Sequence, residues 1–212
     1  MFSISVSTIG LLFAVTLALK PPITRENFPW RKPLVGSAFS TVCALGIVAA
    51  LFPKKCSDAF LFRKGEKIFA SHAPSVASKG HHPNCEKFST HVIRVSSHTL
   101  CAACTGLLIG ALTAIVGAAL YFFGGWRIEE VGSPTVLIGV AGTALGFFQL
   151  KFRSFTRLIL NVFFVLGAFL VLVGIDELAE SLFADLFLTA LTVFWVLTRI
   201  QLSQWDHWRI CG

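Results

Sequence analysis

The residues best suited to chemistry lie in one stretch. From His81 to Gly106 the chain reads HHPNCEKFSTHVIRVSSHTLCAACTG, then continues as the apolar LLIGALTAIVGAAL. Written as spacing, His82 and Cys85 are separated by two residues, fifteen follow, and Cys101 and Cys104 are again separated by two. Two ligands so spaced fit a tight knuckle that aims both side chains at one ion, and a hairpin in the insert would return the second knuckle to the first. One imidazole and three thiolates close a tetrahedron around zinc, with iron as the alternative metal. In a polar loop too small for its own core, such a metal supplies folding free energy on the order of 10 kcal/mol. Spacing does not separate His81 from His82 as ligand. His91 and His98 are substitutes, as are His207 and Cys211 in the tail WDHWRICG.

The same atoms allow a second chemistry. Cys101 and Cys104 fall in the first turn of an expected membrane helix, where the positive end of the helix dipole favours thiolate. A Cys-x-x-Cys there is a redox pair that exchanges electrons with a quinone or a partner disulfide. Cys56 and Cys85 would then be the shuttle pair in the preceding loop. In layout this resembles membrane thiol oxidoreductases of the vitamin K epoxide reductase type, which work on the oxidising face. A third class, a transporter for ions or small solutes, needs a polar path, and the apolar runs offer Gln149, Asn161 and scattered Ser and Thr.

At CAACTGLLIG the chain resembles an uncharacterised group of small prokaryotic membrane proteins, domain of unknown function 2085. That group is marked by a Cys-His-Gln motif, an aromatic shortly after it, and C-A-R-C-T-G at a helix start. Cys101, Cys104, Thr105 and Gly106 match, Phe88 suits the aromatic, and Cys85 or the His81–His82 pair stands near the first motif. Ala103 replaces the usual Arg and the Cys-His-Gln order is not reproduced. The resemblance covers about a quarter of the chain. It implies a Cys-rich site at a membrane face and lends no activity.

The elements that must position these residues are membrane helices. Of 212 residues 55% are hydrophobic and 14% charged, against about 25% charged in a soluble domain; the mean hydropathy is +0.75. Uncharged runs cover residues 1–19, 33–53, 99–126, 131–150 and 158–175, and a sixth, 181–198, is interrupted by Asp185 alone. About 20 apolar residues cross a bilayer. The expected fold is therefore all-α, a polytopic bundle of about six spans with a small Cys/His loop and a short β-hairpin in that loop. Residues 1–52 form an N-terminal hairpin, 53–100 the Cys/His-rich insertion, 101–203 a four-helix region and 204–212 a tail. Residues 1–19 lack a basic n-region and an A-x-A site, so they read as a retained helix.

Lys and Arg in short loops set orientation. The insertion, the loop KFRSFTR with Arg157, and Arg199 and Arg209 near the C-terminus are all basic, which places them with both termini on the cytoplasmic side of a cell membrane. Lys20, Arg25, Arg31 and Lys32 of the first loop dissent. Asp176, Glu177, Glu180 and Asp185 gather at the opposite mouth, and of these only Asp185 is expected within the bilayer, where an acid marks a site. The net charge of +7 lies in loops and is accounted for by topology and anionic headgroups, not by nucleic acid. The expected partners are the lipid bilayer and a protein at the cytoplasmic face, and a homo-oligomer is compatible with the sequence.

Ala102, Gly106, Gly110, Ala114 and Ala118 recur every four residues, and Gly139, Gly142 and Gly146 offer a matching stripe. Small residues let helices approach closely in lipid, so the two stripes are expected to pack together. The chain has no Walker loop, dinucleotide fingerprint, H-E-x-x-H or G-x-S-x-G, which leaves hydrolase and nucleotide-driven readings without residues.

Overall fold

The computed structural model describes residues 2–21, 28–51, 78–79, 92–95, 98–126, 132–152 and 154–211. The described residues form six α-helices: α1 (Phe2–Leu19), α2 (Arg31–Leu51), α3 (Ala102–Ala118), α4 (Gly132–Phe147), α5 (Ser154–Ala179) and α6 (Leu182–Cys211). A π-helical turn, Ala119–Phe123, extends α3, and a 3-10 turn, Phe148–Lys151, extends α4.

Among the described residues four helices are long and apolar enough to cross a membrane: Arg31–Leu51, Ala102–Phe123, Ser154–Ala179 and Leu182–Ser203. The other two apolar segments, Ser3–Leu19 and Gly132–Phe147, are shorter. At 1.5 Å per residue the 16 residues of α4 rise about 24 Å, against a hydrocarbon core of roughly 30 Å. The surface is inverted relative to a water-soluble protein. Ile9, Leu45, Phe155 and Phe183 are exposed, whereas Arg31, Asn161, Asp176, Asp185 and Arg199 are buried. Hydrocarbon outside and paired polar groups inside is the arrangement a bilayer selects.

The small-residue stripes do not pack on each other as expected; each packs on α5. Gly106 lies against the Leu158 carbonyl and Asn161 Cβ, and Gly110 against Val162. A Cβ on Gly139 would come 2.6 Å from the Gly167 carbonyl oxygen, and one on Gly167 would come 2.6 Å from that of Gly139. Spacing reveals a small face but not its partner, and α5 supplies Gly167 as the reciprocal gap. Enclosed by its neighbours, α5 buries every residue from Val171 to Asp176.

Helix ends then fix which side chains meet. Gly125, at φ 68°, ends the π-helical turn in the left-handed region that glycine adopts without strain. Between α5 and α6 stand only Glu180 and Ser181. Glu180 takes φ 43° and its N–H donates to the Asp176 carbonyl at 3.0 Å, closing α5 as a glycine usually would. This short turn brings the last turn of α5 and the first of α6 to one end of the bundle. Elsewhere Ser7 Oγ donates to Thr198 Oγ1 at 3.0 Å and Ser133 Oγ to the Ala18 carbonyl at 3.1 Å, tying α1 to α6 and α4.

A three-stranded sheet precedes α3: β1 (Ser78–Lys79), β2 (Val92–Val95) and β3 (His98–Cys101), in the order β1-β3-β2. β2 and β3 are antiparallel with Val92 opposite Cys101, and β1 runs parallel to β3 with Lys79 beside Leu100. The chain thus leaves β1 and enters β2 next to the last two residues of β3.

Candidate functional site at the start of the third helix

No loop separates β3 from α3. Cys101 is the last residue of the strand and the N-cap of the helix, with φ −70° and ψ 118°; α3 starts at Ala102, so Cys101 precedes the first turn in which it was expected. An N-cap side chain lies over the unpaired N–H groups of the first turn. No side-chain hydrogen bond caps the helix at Cys101; the Cys104 thiol and the backbone N–H groups of Cys104 and Ala103 lie close enough to its sulfur to act on it electrostatically. The Cys104 thiol is the largest influence on Cys101; burial opposes it, and the backbone N–H groups and the Arg199 charge reinforce it, bringing the Cys101 thiol down to about 6. Both cysteines are free thiols.

Arg199, in α6, is buried. Its Nε donates to Asn161 Oδ1 at 2.9 Å and its Nη2 approaches Gln149 Oε1 at 3.5 Å. Asn161 Nδ2 in turn donates to Gln149 Oε1 and to the Arg157 carbonyl. The two amides therefore hold a guanidinium in place. The ionisable groups acting on Arg199 are Cys104, Cys101 and Arg157, itself buried. From sequence, Arg157 and Arg199 read as loop cations that set topology. Their burial is the main feature that reading missed, and the one signal for it was the placement of Arg157 one turn before Asn161.

An apolar cavity of about 600 Å³ opens between α2 and α6, over α3 and α5. Its walls include Cys43 and Gly46 of α2, Leu107 and Ala111 of α3, Phe164 of α5 and Ile200 of α6. Leu107 is one turn below Cys104, and Ile200 is next to Arg199. Its size falls within the ordinary range for small-molecule pockets.

Compared with family models, curated proteins and solved structures, the chain matches none.

Of the ligands expected from spacing, Cys101 and Cys104 stand together at the start of α3. Cys56, His81, His82, Cys85 and His91 lie outside the described residues. His98 is in β3, and His207 and Cys211 are in the last turns of α6; the side chains of these three are also outside the description. Among the described residues no group of three or more His, Cys, Asp or Glu side chains is placed to hold a metal ion.

The far end of the bundle carries a second polar cluster. Arg31 Nη1 lies 2.6 Å from Asp176 Oδ1 and also contacts Asp185 Oδ2. Tyr121 Oη stands 2.6 Å from Asp176 Oδ2 and 2.7 Å from Glu177 Oε2. Lys32 Nζ is 3.4 Å from Asp176 Oδ2 and sits over the Tyr121 ring. Asp185 was the one acid expected inside; Asp176 is buried as completely, because α5 continues past it to Ala179. Arg31 and Lys32, which dissent from the orientation rule, are counter-ions of these acids.

Proposed function

We propose that the protein is a membrane thiol oxidoreductase whose redox pair is Cys101 and Cys104, with the apolar cavity as the seat of a lipid-soluble quinone. The observation that carries this reading is the N-cap placement of Cys101, where the Cys104 thiol and the Arg199 charge both favour its thiolate. Thiolate is the reacting form of cysteine, and a low thiol pKa keeps it populated at neutral pH. In the proposed turnover the Cys101 thiolate and the Cys104 thiol form one S–S bond, and the Cys104 S–H bond breaks. Two electrons pass to the quinone, which takes up the Cys104 proton and a second proton from water to become a quinol. The cavity supports this partner because it is apolar, faces the lipid along α2 and ends within one helical turn of the thiols.

The test pairs thiol labelling with anaerobic quinol formation on the purified protein. A Cys101–Cys104 disulfide that forms on adding a short-chain quinone, with one quinol per pair, is the expected result. Cys101→Ser and Cys104→Ser each abolish it. Gly46→Leu narrows the cavity, since a Cβ at Gly46 meets nothing within 4 Å, and should weaken quinone use without disturbing the thiols. Thiols that stay reduced with every quinone would sink the proposal.

The sheet favours a second reading, a zinc-type site formed by His82, Cys85, Cys101 and Cys104 that makes the insertion a rigid platform for a protein partner. The support is that Lys79 and Val92 both stand beside the end of β3, and His82 is three residues past Lys79, a reach of at most about 10 Å. Elemental analysis separates the readings: stoichiometric zinc or iron, with the cysteines protected from alkylation until a chelator is added, would favour the platform.

A further inference from the structure

The cluster at the other end of the bundle presents a proton-counting problem. It joins four helices: Arg31 and Lys32 from α2, Tyr121 from the extension of α3, Asp176 and Glu177 from α5, and Asp185 from α6. α1 and α4 contain no ionisable side chain. Glu180, in the turn, makes a further interaction, Lys20, just past α1, is exposed, and Arg25, Glu26, Arg127, Glu129 and Glu130 lie outside the described residues. Among the described residues of the cluster, with every group in its ordinary state, two cations face three carboxylates, an excess of one negative charge. Asp176 and Asp185 are both fully buried, where an uncompensated charge is expensive.

Hydrogen-bond counting reaches the same conclusion independently. One nitrogen, Arg31 Nη1, contacts a carboxyl oxygen of both Asp176 and Asp185 and so sets the two acids side by side, yet two carboxylates have no proton to share. Asp185 Oδ1 is buried without a donor among the described residues. Tyr121 has one O–H but approaches two carboxylates, so it serves one of them at a time.

We propose that the Asp176–Asp185 pair is a proton-binding site that holds one proton between its two carboxyl groups and exchanges it with water through Tyr121 and Glu177. One added proton cancels the excess charge and gives Asp185 Oδ1 a donor. Arg31, in contact with both acids, holds them face to face. The exit runs through the phenol: Asp176 passes its proton to Tyr121 Oη as Tyr121 passes its own to Glu177 Oε2. Glu177 is 25% exposed and hands the proton to water. The O–H bond broken at each oxygen is replaced by the one formed at the next. This site lies at the opposite end from the thiols and stands whether or not they are redox-active.

Infrared difference spectroscopy of the purified protein across a pH titration tests the proposal. The expected result is one protonated carboxyl per chain, seen as a C=O band that shifts in D₂O and persists at neutral pH. An exposed carboxyl ionises near about 4. Asp176→Asn and Asp185→Asn each remove the band, since an amide supplies the missing donor, while Glu177→Gln keeps it, because it alters a part-exposed carboxyl and leaves both buried acids and the donor-less Asp185 Oδ1 in place. Tyr121→Phe keeps the band but slows its exchange with D₂O. No band at neutral pH in the unaltered protein would overturn the proposal, and that arm needs no variant to fold. A band lost in Glu177→Gln but kept in Asp185→Asn would move the proton to Glu177 and overturn it too. A midpoint that follows sodium concentration at fixed pH would assign the site to a metal cation. Exchange in Tyr121→Phe as fast as in the parent would refute the exit path.

Discussion

Arg31 Nη1 stands 2.6 Å from Asp176 Oδ1, joining the first turn of α2 to the last turn of α5. Arg31 also contacts Asp185, so one guanidinium holds two buried acids from helices adjacent in sequence. Arg31→Met should cost about 3–5 kcal/mol, because it strands buried carboxylates rather than merely deleting a contact. Denaturant unfolding in detergent measures it. The triple variant that adds Asp176→Asn and Asp185→Asn should recover part of the loss; a triple variant less stable than Arg31→Met would refute this account.

The Cys101 thiol, brought down to about 6, sets a pH profile. Its deprotonated fraction is small below that value and nearly complete above it, so alkylation should rise through pH about 6 and level off by neutrality. An ordinary thiol would still be climbing near about 8.5. Cys104→Ser replaces the thiol with the largest influence on Cys101 and should change the profile more than any other single substitution at this end. Mass-spectrometric rates of iodoacetamide labelling read both.

Gly167 and Gly46 should respond oppositely to the same change. Gly167→Ala drives a Cβ to 2.6 Å from the Gly139 carbonyl oxygen, forcing α4 away from α5 at a cost of about 1–3 kcal/mol. Gly46→Ala enters open space and should be neutral or stabilising by up to about 1 kcal/mol through helix propensity. Thermal unfolding of both variants under one condition makes the comparison.

Arg199 separates stability from reactivity. Its hydrogen-bond partners are the neutral amides of Asn161 and Gln149, so burying its charge costs more than they return. Arg199→Met should leave unfolding stability unchanged or raise it by about 1–3 kcal/mol. The same variant should move Cys101 alkylation to higher pH, since the Arg199 charge helps hold the thiolate. A marked loss of stability with an unaltered labelling profile would make Arg199 a purely structural residue.

The apolar runs and their small-residue stripes were enough to declare a helical membrane protein, because hydrocarbon admits few other backbones and periodicity is local. The Cys-x-x-Cys at a helix start was legible for the same reason: capping involves residues within one turn. Pairings across the bundle were not. Arg31, Arg157 and Arg199 sit at the ends of apolar runs, where a free loop cation and a buried counter-ion have the same sequence signature. Only packing decides between them, since a buried charge persists where another helix brings its partner. Likewise, no spacing rule announces that Gly139 meets Gly167 rather than the stripe of α3, or that Asp176 meets Asp185 across a two-residue turn. Sequence determined which faces and groups were available; the tertiary structure decided which of them meet, because that choice depends on how the helices fill space together.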